Sequence, residues 1–174
     1  LREYIFEDAL RIVVSGTHGK TTTTGIVASI FESAGTHPGF MIGGVPQGKD
    51  HGFSLGAGEF AIFEGDEYDT SYFNKMPKFL QYGAHTGIVT AVELDHLDIY
   101  KDLNDYRKAF EFFVSEIPKE GFVFLNGDRE DTKTLEMFAK AHVFKYGFSK
   151  DNDIRADNLI SENGIQKFNL IYNG

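Results

Sequence analysis

The sequence predicts an α/β fold: a mainly parallel sheet flanked by helices, with a small antiparallel hairpin at the C-terminal end. Three observations predict it. An apolar strand, a glycine-bounded loop and a helix follow one another between Ile12 and Ala34. Short apolar runs then alternate with helical patterns, the mark of strands that cross over through helices. Near the end, two alternating runs enclose Asn163-Gly164, a strong hairpin signal.

Composition narrows the classes. The chain has 174 residues, 41% of them hydrophobic and 25% charged, no cysteine and a net charge of −9. That is enough for one domain with a real core. The lack of cysteine excludes disulfides and thiol chemistry and fits a reducing compartment. A net charge of −9 argues against a nucleic-acid surface, which needs a basic footprint. No apolar run approaches the ~20 residues that span a bilayer. The chain opens on Leu1-Arg2-Glu3-Tyr4, without a signal-peptide pattern, and stops on Tyr172-Asn173-Gly174, so it is expected to be one domain of a longer protein.

In order, Leu1 to Leu10 reads as an amphipathic lead-in, a small helix or linker packed on the domain. Ile12 to Val14 is a buried strand. Gly16-Thr17-His18-Gly19-Lys20-Thr21 then has the makings of a phosphate-binding loop (P-loop). Backbone N–H groups at the start of a helix face such a loop, and the helix dipole adds positive potential. Lys20 would reach terminal phosphates and the Thr21 hydroxyl would ligate Mg²⁺. The longer pattern G-x-x-x-x-G-K-[ST] asks for glycine where Val14 stands, so this is a shorter loop. A plain glycine turn before an ordinary helix is the alternative; the flanking strand and helix speak against it.

The helix is expected over Thr21 to Ala34, with Ile26, Val27, Ile30 and Phe31 as its core face and Gly35 as its stop. Phe40 to Ile42 is a short strand ended by Gly43-Gly44. Gln47 to Gly58 is a glycine-rich loop with a short strand near Phe53 to Leu55. Phe60 to Phe63 is a buried strand that runs into Glu64-Gly65-Asp66-Glu67. Ligands of open α/β sheets sit at the carboxyl ends of strands, and a carboxylate there can hold a nucleotide's Mg²⁺. Glu64, first after the strand, is the candidate; a solvated acidic turn is the plainer reading. Asn74-Lys75-Met76-Pro77 places Pro77 where a guanine-reading motif would need Asp.

Thr86 to Val92 is the next buried strand, followed by Glu93-Leu94-Asp95-His96-Leu97-Asp98. His96 among carboxylates suits a shared divalent metal, or else an exposed hydrogen-bonding residue. Leu103 to Ile117 is an amphipathic helix with Leu103, Tyr106, Phe110, Phe113 and Val114 on one side. Phe122 to Leu125 is a core strand, Asn126-Gly127-Asp128 its turn, Asp131 to Ala141 a helix and His142 to Phe148 a strand. Ile154 to Ile160 and Ile165 to Tyr172 form the closing hairpin. There is no internal repeat and no low-complexity tract.

Gly16-Thr17-His18-Gly19-Lys20-Thr21-Thr22-Thr23-Thr24 resembles the ATP loop of the Mur ligases, which build the bacterial cell-wall precursor. The family's Glu-Ala-Asp-Glu motif stands here as Glu64-Gly65-Asp66-Glu67. The His18 form resembles the members that act on UDP-N-acetylmuramate. Tyr68, Phe73 and Lys75 resemble those that attach a tripeptide to it.

The resemblance implies that residues 1–174 are a central ATP-binding domain, with an N-terminal UDP-binding domain and a C-terminal domain flanking it in the same full-length chain. The implied activity is an ATP-dependent amide ligase of peptidoglycan recycling in the bacterial cytoplasm. It would join UDP-N-acetylmuramate to L-alanyl-γ-D-glutamyl-meso-diaminopimelate through an acyl phosphate, without nucleic-acid or membrane partners. ATP and Mg²⁺ would be bound. Lys20, Glu64 and His96 would be catalytic; Gly16, Thr17, His18, Gly19, Lys20, Thr21, Thr22 and Asn126 would hold the nucleotide, Asn126 near adenine. Thr21, Glu64 and His96 would ligate metal, and the glycines of the loop Gln47 to Gly58 would flank the UDP-sugar. Ala91 departs from the family, which has Asn there. Two alternatives stay open: L-alanine as the incoming amine, and a P-loop regulatory module with no ligase chemistry. The domain alone is expected to catalyse nothing.

Overall fold

A computed structural model describes residues 6, 8–67, 69–71, 74–93, 100 and 102–172, with backbone alone for 69–71 and 74–76. In chain order the elements are β1 (Leu10–Ser15), α1 (Lys20–Ser33), β2 (Gly39–Met41), β3 (Phe53–Ser54), β4 (Phe60–Gly65), β5 (Asp69–Ser71) and β6 (Asn74–Pro77). Then come α2 (Lys78–Gln81), β7 (Thr86–Val89), α3 (Leu103–Glu116), β8 (Phe122–Asn126), α4 (Glu130–Lys133), β9 (His142–Gly147), β10 (Ile154–Glu162) and β11 (Ile165–Tyr172). A 3₁₀ helix, Thr134–Phe138, follows α4 directly.

The main sheet runs β11-β10-β9-β8-β7-β1-β4-β2-β3. β1 is central because Ile12, Val13 and Val14 are β-branched and apolar on both faces. It pairs in parallel with β4 and with β7, so Val14 lies opposite Glu64 on one side and Ile88 on the other. All of these strands point the same way, which gathers the loops after β1, β4 and β7 at one end. The antiparallel pairs are β2 with β3, β10 with β11, and the separate ribbon β5–β6. Asn163 and Gly164 take φ of 51° and 76°, the two left-handed positions of a type I′ turn, as Asn-Gly predicts.

Alternate strand residues feed two cores. Val13, Phe63, Val89, Val123 and Leu125 face α2 and α3, meeting Phe79, Tyr106, Phe110 and Phe113. Ile12 and Ile62 face α1 with Ala28, Phe40 and Ile42. The α1 face is covered only in part. An open apolar groove of about 750 Å³ runs from α1 to β8, lined by Ile30, Phe31, Ile88, Phe122 and Phe124.

Several expectations are corrected. Ile26 and Ile30 of α1 are exposed, Val27 and Phe31 only flank the core, and the buried residues are Thr24 and Ala28. Thr24 satisfies its hydroxyl on the Lys20 carbonyl at 2.8 Å and so can face inward, which hydrophobic spacing does not reveal. Leu103 is likewise exposed. The strand of Phe60 continues through Gly65, so Glu64 lies inside the sheet rather than after it. The strand from Thr86 ends at Val89. The helix expected over Asp131 to Ala141 is a short α turn running into the 3₁₀ helix. There the Thr134 hydroxyl is engaged with the Glu130 and Asp131 carbonyls and the Arg107 guanidinium. The lead-in over Leu1 to Leu10 falls largely outside the described residues; Phe6 packs in the main core. No helix among the described residues is long and apolar enough to cross a membrane.

Candidate functional site

The loop between β1 and α1 is shaped by what lies behind it. Gly16 has φ 131°, and a Cβ there would come within 2.2 Å of Thr90 Oγ1 and 2.9 Å of the Ala91 backbone. Only glycine lets the chain turn against the end of β7. The Thr17 N–H then donates to the Ala91 carbonyl at 2.8 Å, and Thr90 Oγ1 donates to the His18 carbonyl at 2.6 Å. The N-cap of α1 is Gly19, and no side chain caps the helix, which leaves the first-turn N–H groups for a ligand in the loop.

Lys20 and Thr21 open α1 at the carboxyl ends of β1 and β4. Lys20 Nζ donates to the Gly16 carbonyl at 2.6 Å and the Thr17 carbonyl at 3.3 Å, and pairs with the Glu67 carboxylate at 2.9 and 3.1 Å. Thr21 Oγ1 donates to Glu64 Oε1 at 2.6 Å. The other Glu64 oxygen accepts from the Gly43 N–H, also at 2.6 Å. Glu64 is only 8% exposed, so the solvated-turn reading of this acid fails. A hydroxyl and a buried carboxylate in contact are hard oxygen donors that fit a divalent cation. Ser15 Oγ, just before the loop, is buried with no hydrogen-bond partner among the described residues.

His96, the third expected metal ligand, lies outside the described residues, as do Tyr68 and Phe73. Among the described residues no group of three or more His, Cys, Asp or Glu is placed to hold a metal ion. The described donors are therefore Thr21 and Glu64. Thr22 is exposed beside Thr21, and both line an open cavity of about 790 Å³ with Gly44, Val45, Pro46 and Gln47.

A second cluster joins the ends of β1, β7 and β8. His18 Nε2 lies 3.5 Å from Glu93 Oε2, with both side chains well exposed. Arg129 pairs with Glu93 and, at 2.9 Å, with Asp131. Partial burial would raise the Asp131 pKa, but the Arg129 guanidinium and the Val92 N–H outweigh it and hold the carboxyl below its usual range. Asn126 donates to the Thr90 carbonyl and accepts from the Asp128 N–H, both at 3.2 Å, so its amide shapes the turn after β8. Ala91 is buried and serves through its backbone.

The sequence reading gave no role to Glu67, which the fold sets on Lys20, nor to Tyr106, read as core. Tyr106 OH lies 3.0 Å from Thr17 Oγ1 and 3.4 Å from Glu67 Oε1. Burial first, then the Glu67 charge, pushes its phenol pKa up, partly offset by the Thr17 hydrogen bond. The available signal was a hydroxyl on a helix face otherwise built of Phe110, Phe113 and Val114.

Comparison with known proteins agrees with this geometry. The family model for the Mur ligase middle domain matches residues 14–174. A UDP-N-acetylmuramate–L-alanine ligase of Sulfurihydrogenibium sp. is 36% identical over 91% of this chain and 34% of its own length. The UDP-N-acetylmuramate–L-alanyl-γ-D-glutamyl-meso-2,6-diaminoheptandioate ligase of Escherichia coli is 41% identical over 70% of this chain and 26% of its own. The crystal structure of the corresponding Neisseria ligase superposes with a TM-score of 0.85 at 30% identity, covering 99% of this chain and 55% of that one. The chain thus spans about a third or less of the length of these curated relatives. With its parallel sheet, its loop before α1 and a family match from Val14 to the end, the chain belongs to the Mur ligase family, as a middle domain.

Proposed function

We propose that the chain is the ATP-binding part of an amide ligase that joins UDP-N-acetylmuramate to L-alanyl-γ-D-glutamyl-meso-diaminopimelate, working with flanking domains of a longer polypeptide. The observation that carries the nucleotide reading is the contact of Thr21 with the buried Glu64, beside Lys20 and the uncapped start of α1. In the proposed reaction a carboxylate oxygen of the muramate attacks the γ-phosphorus of ATP, ADP leaves and an acyl phosphate forms. The peptide amine then attacks the acyl carbon, phosphate departs and the amine loses a proton.

The protein's task is to bring two anions together and stabilise the charge that moves between them. Loop N–H groups and Lys20 would hold the terminal phosphates. Thr21 and Glu64, with His96, would hold Mg²⁺, which supplies Lewis-acid screening of the transferred phosphoryl group. Gly43 keeps Glu64 aimed at Thr21.

A second reading has L-alanine as the amine; a relative that adds L-alanine matches 91% of this chain. Phosphate release by the full-length polypeptide with Mg-ATP and UDP-N-acetylmuramate decides between them. Release with tripeptide alone supports the first reading, and release with L-alanine alone the second. Release with neither favours another ligase of this family or a regulatory module. Lys20→Ala is expected to lower turnover by at least about 10³-fold, since it removes the cation at the developing charge; retained turnover would overturn the assignment of the loop.

A further inference from the structure

Glu67 has no part in the reaction above, yet its side chain is fully enclosed. A carboxylate is kept in such a place only with a cation and hydrogen bonds around it. Lys20 is such a cation, at 2.9 and 3.1 Å. Tyr106 OH donates to Glu67 Oε1 at 3.4 Å, and Tyr100 OH donates to the Glu67 backbone carbonyl at 2.8 Å. The same Tyr106 hydroxyl touches Thr17 in the loop, so the carboxylate is tied to the loop by two routes. An ammonium has three N–H donors. Here the Gly16 carbonyl, the Thr17 carbonyl and Glu67 engage them. A phosphate entering the loop therefore meets a lysine whose donors are already in use.

We propose that Glu67 is a positioning residue for Lys20: it fixes the ammonium at the base of the loop and competes for it with the bound phosphate. The inference rests on the nucleotide reading under Proposed function. Competition weakens ground-state binding, while the fixed position serves the charge that develops during transfer. Removing the negative charge thus separates two quantities that ordinary structural damage lowers together. Nucleotide binds more tightly, and turnover slows.

The test uses the full-length polypeptide, with Mg-ADP titrated calorimetrically and turnover read as ADP formed. Glu67→Gln keeps the size and removes the charge. Its Kd for Mg-ADP is expected to fall about fivefold or more and its kcat about tenfold or more. Glu67→Asp keeps the charge at shorter reach and is expected to lie between Glu67→Gln and the unmutated protein on both counts. Mg-ADP binding by Glu67→Gln that is no tighter than in the unmutated protein overturns the proposal. If Glu67→Gln does not fold, Glu67→Asp decides: tighter binding than the unmutated protein supports the proposal, and equal or weaker binding overturns it. Failure of the unmutated protein to bind Mg-ADP is a different result; it overturns the nucleotide reading itself and this inference with it.

Discussion

The two faces of the main sheet are made from alternate residues of the same strands, yet they are unequal. Under α3 the contacts are aromatic and closed: Phe79 packs on Phe110 and Phe113, and Tyr106 on Phe110, with centroids 5.1–5.4 Å apart. Under α1 the core is small and mostly aliphatic, with Phe40 its buried aromatic, and an open groove continues it toward β8. The difference teaches where the site draws its rigidity. Tyr106, which touches both Thr17 and Glu67, stands on the closed face, whereas α1 brings only its first turn to the chemistry.

Substitutions on the two faces should break or sharpen this contrast. The largest expected effect is that of Phe110→Ala, which opens a cavity in the closed face. It should cost about 3–5 kcal/mol, read as a shift in the urea midpoint. Next is Gly65→Ala. An added Cβ would come within 2.8 Å of Val13 Cγ1 and 2.9 Å of Phe79 Cβ, so the alanine usual in this motif does not fit here. A loss of about 1–3 kcal/mol in the same assay is expected. On the open face, Ile30→Ser should change stability by no more than about 0.5 kcal/mol, since its side chain is exposed. A large loss there would mean that the groove is closed in solution.

A further small effect concerns acid. Burial alone would raise the Asp128 pKa, but N–H groups of Phe148 and Ser149 and the Asn152 amide hold it below the usual value of 3.8. Its folded pKa is therefore depressed, so its contribution is present above that value and is lost as pH falls through the folded pKa. Asp128 is exposed, which screens the effect to less than about 1 kcal/mol. Asp128→Asn should be slightly less stable at pH 7, with the difference shrinking as pH falls below the ordinary value of 3.8 and gone only once pH is under the folded pKa in acid-unfolding curves.

Much of this architecture is legible in the residues. β1, β4 and β8 announce themselves because central parallel strands are continuous apolar runs, and the last hairpin because Asn163-Gly164 admits few other turns. Lys20, Thr21 and Glu64 could be placed together because strand ends converge in a parallel sheet. What local pattern could not give is tertiary. The inward roll of α1 depends on a hydroxyl satisfied within the helix. The break after Lys133 depends on Thr134 meeting Arg107 of α3. The pairing of Lys20 with Glu67 joins residues far apart in sequence, and no periodicity encodes it.

The central position of β1 has a further consequence, for the order of assembly. The first strand of the sheet finds its neighbours only late: Ser15 pairs with Gly65 and with Val89. Both closures must precede the turn of Gly16 against Thr90, and long-range parallel pairings of this kind form slowly. The loop before α1, although it follows β1 directly in the chain, is thus among the last parts of the domain to acquire its shape. Nucleotide added during refolding should bind only when the sheet is complete, making it a reporter of finished folding rather than a nucleus for it.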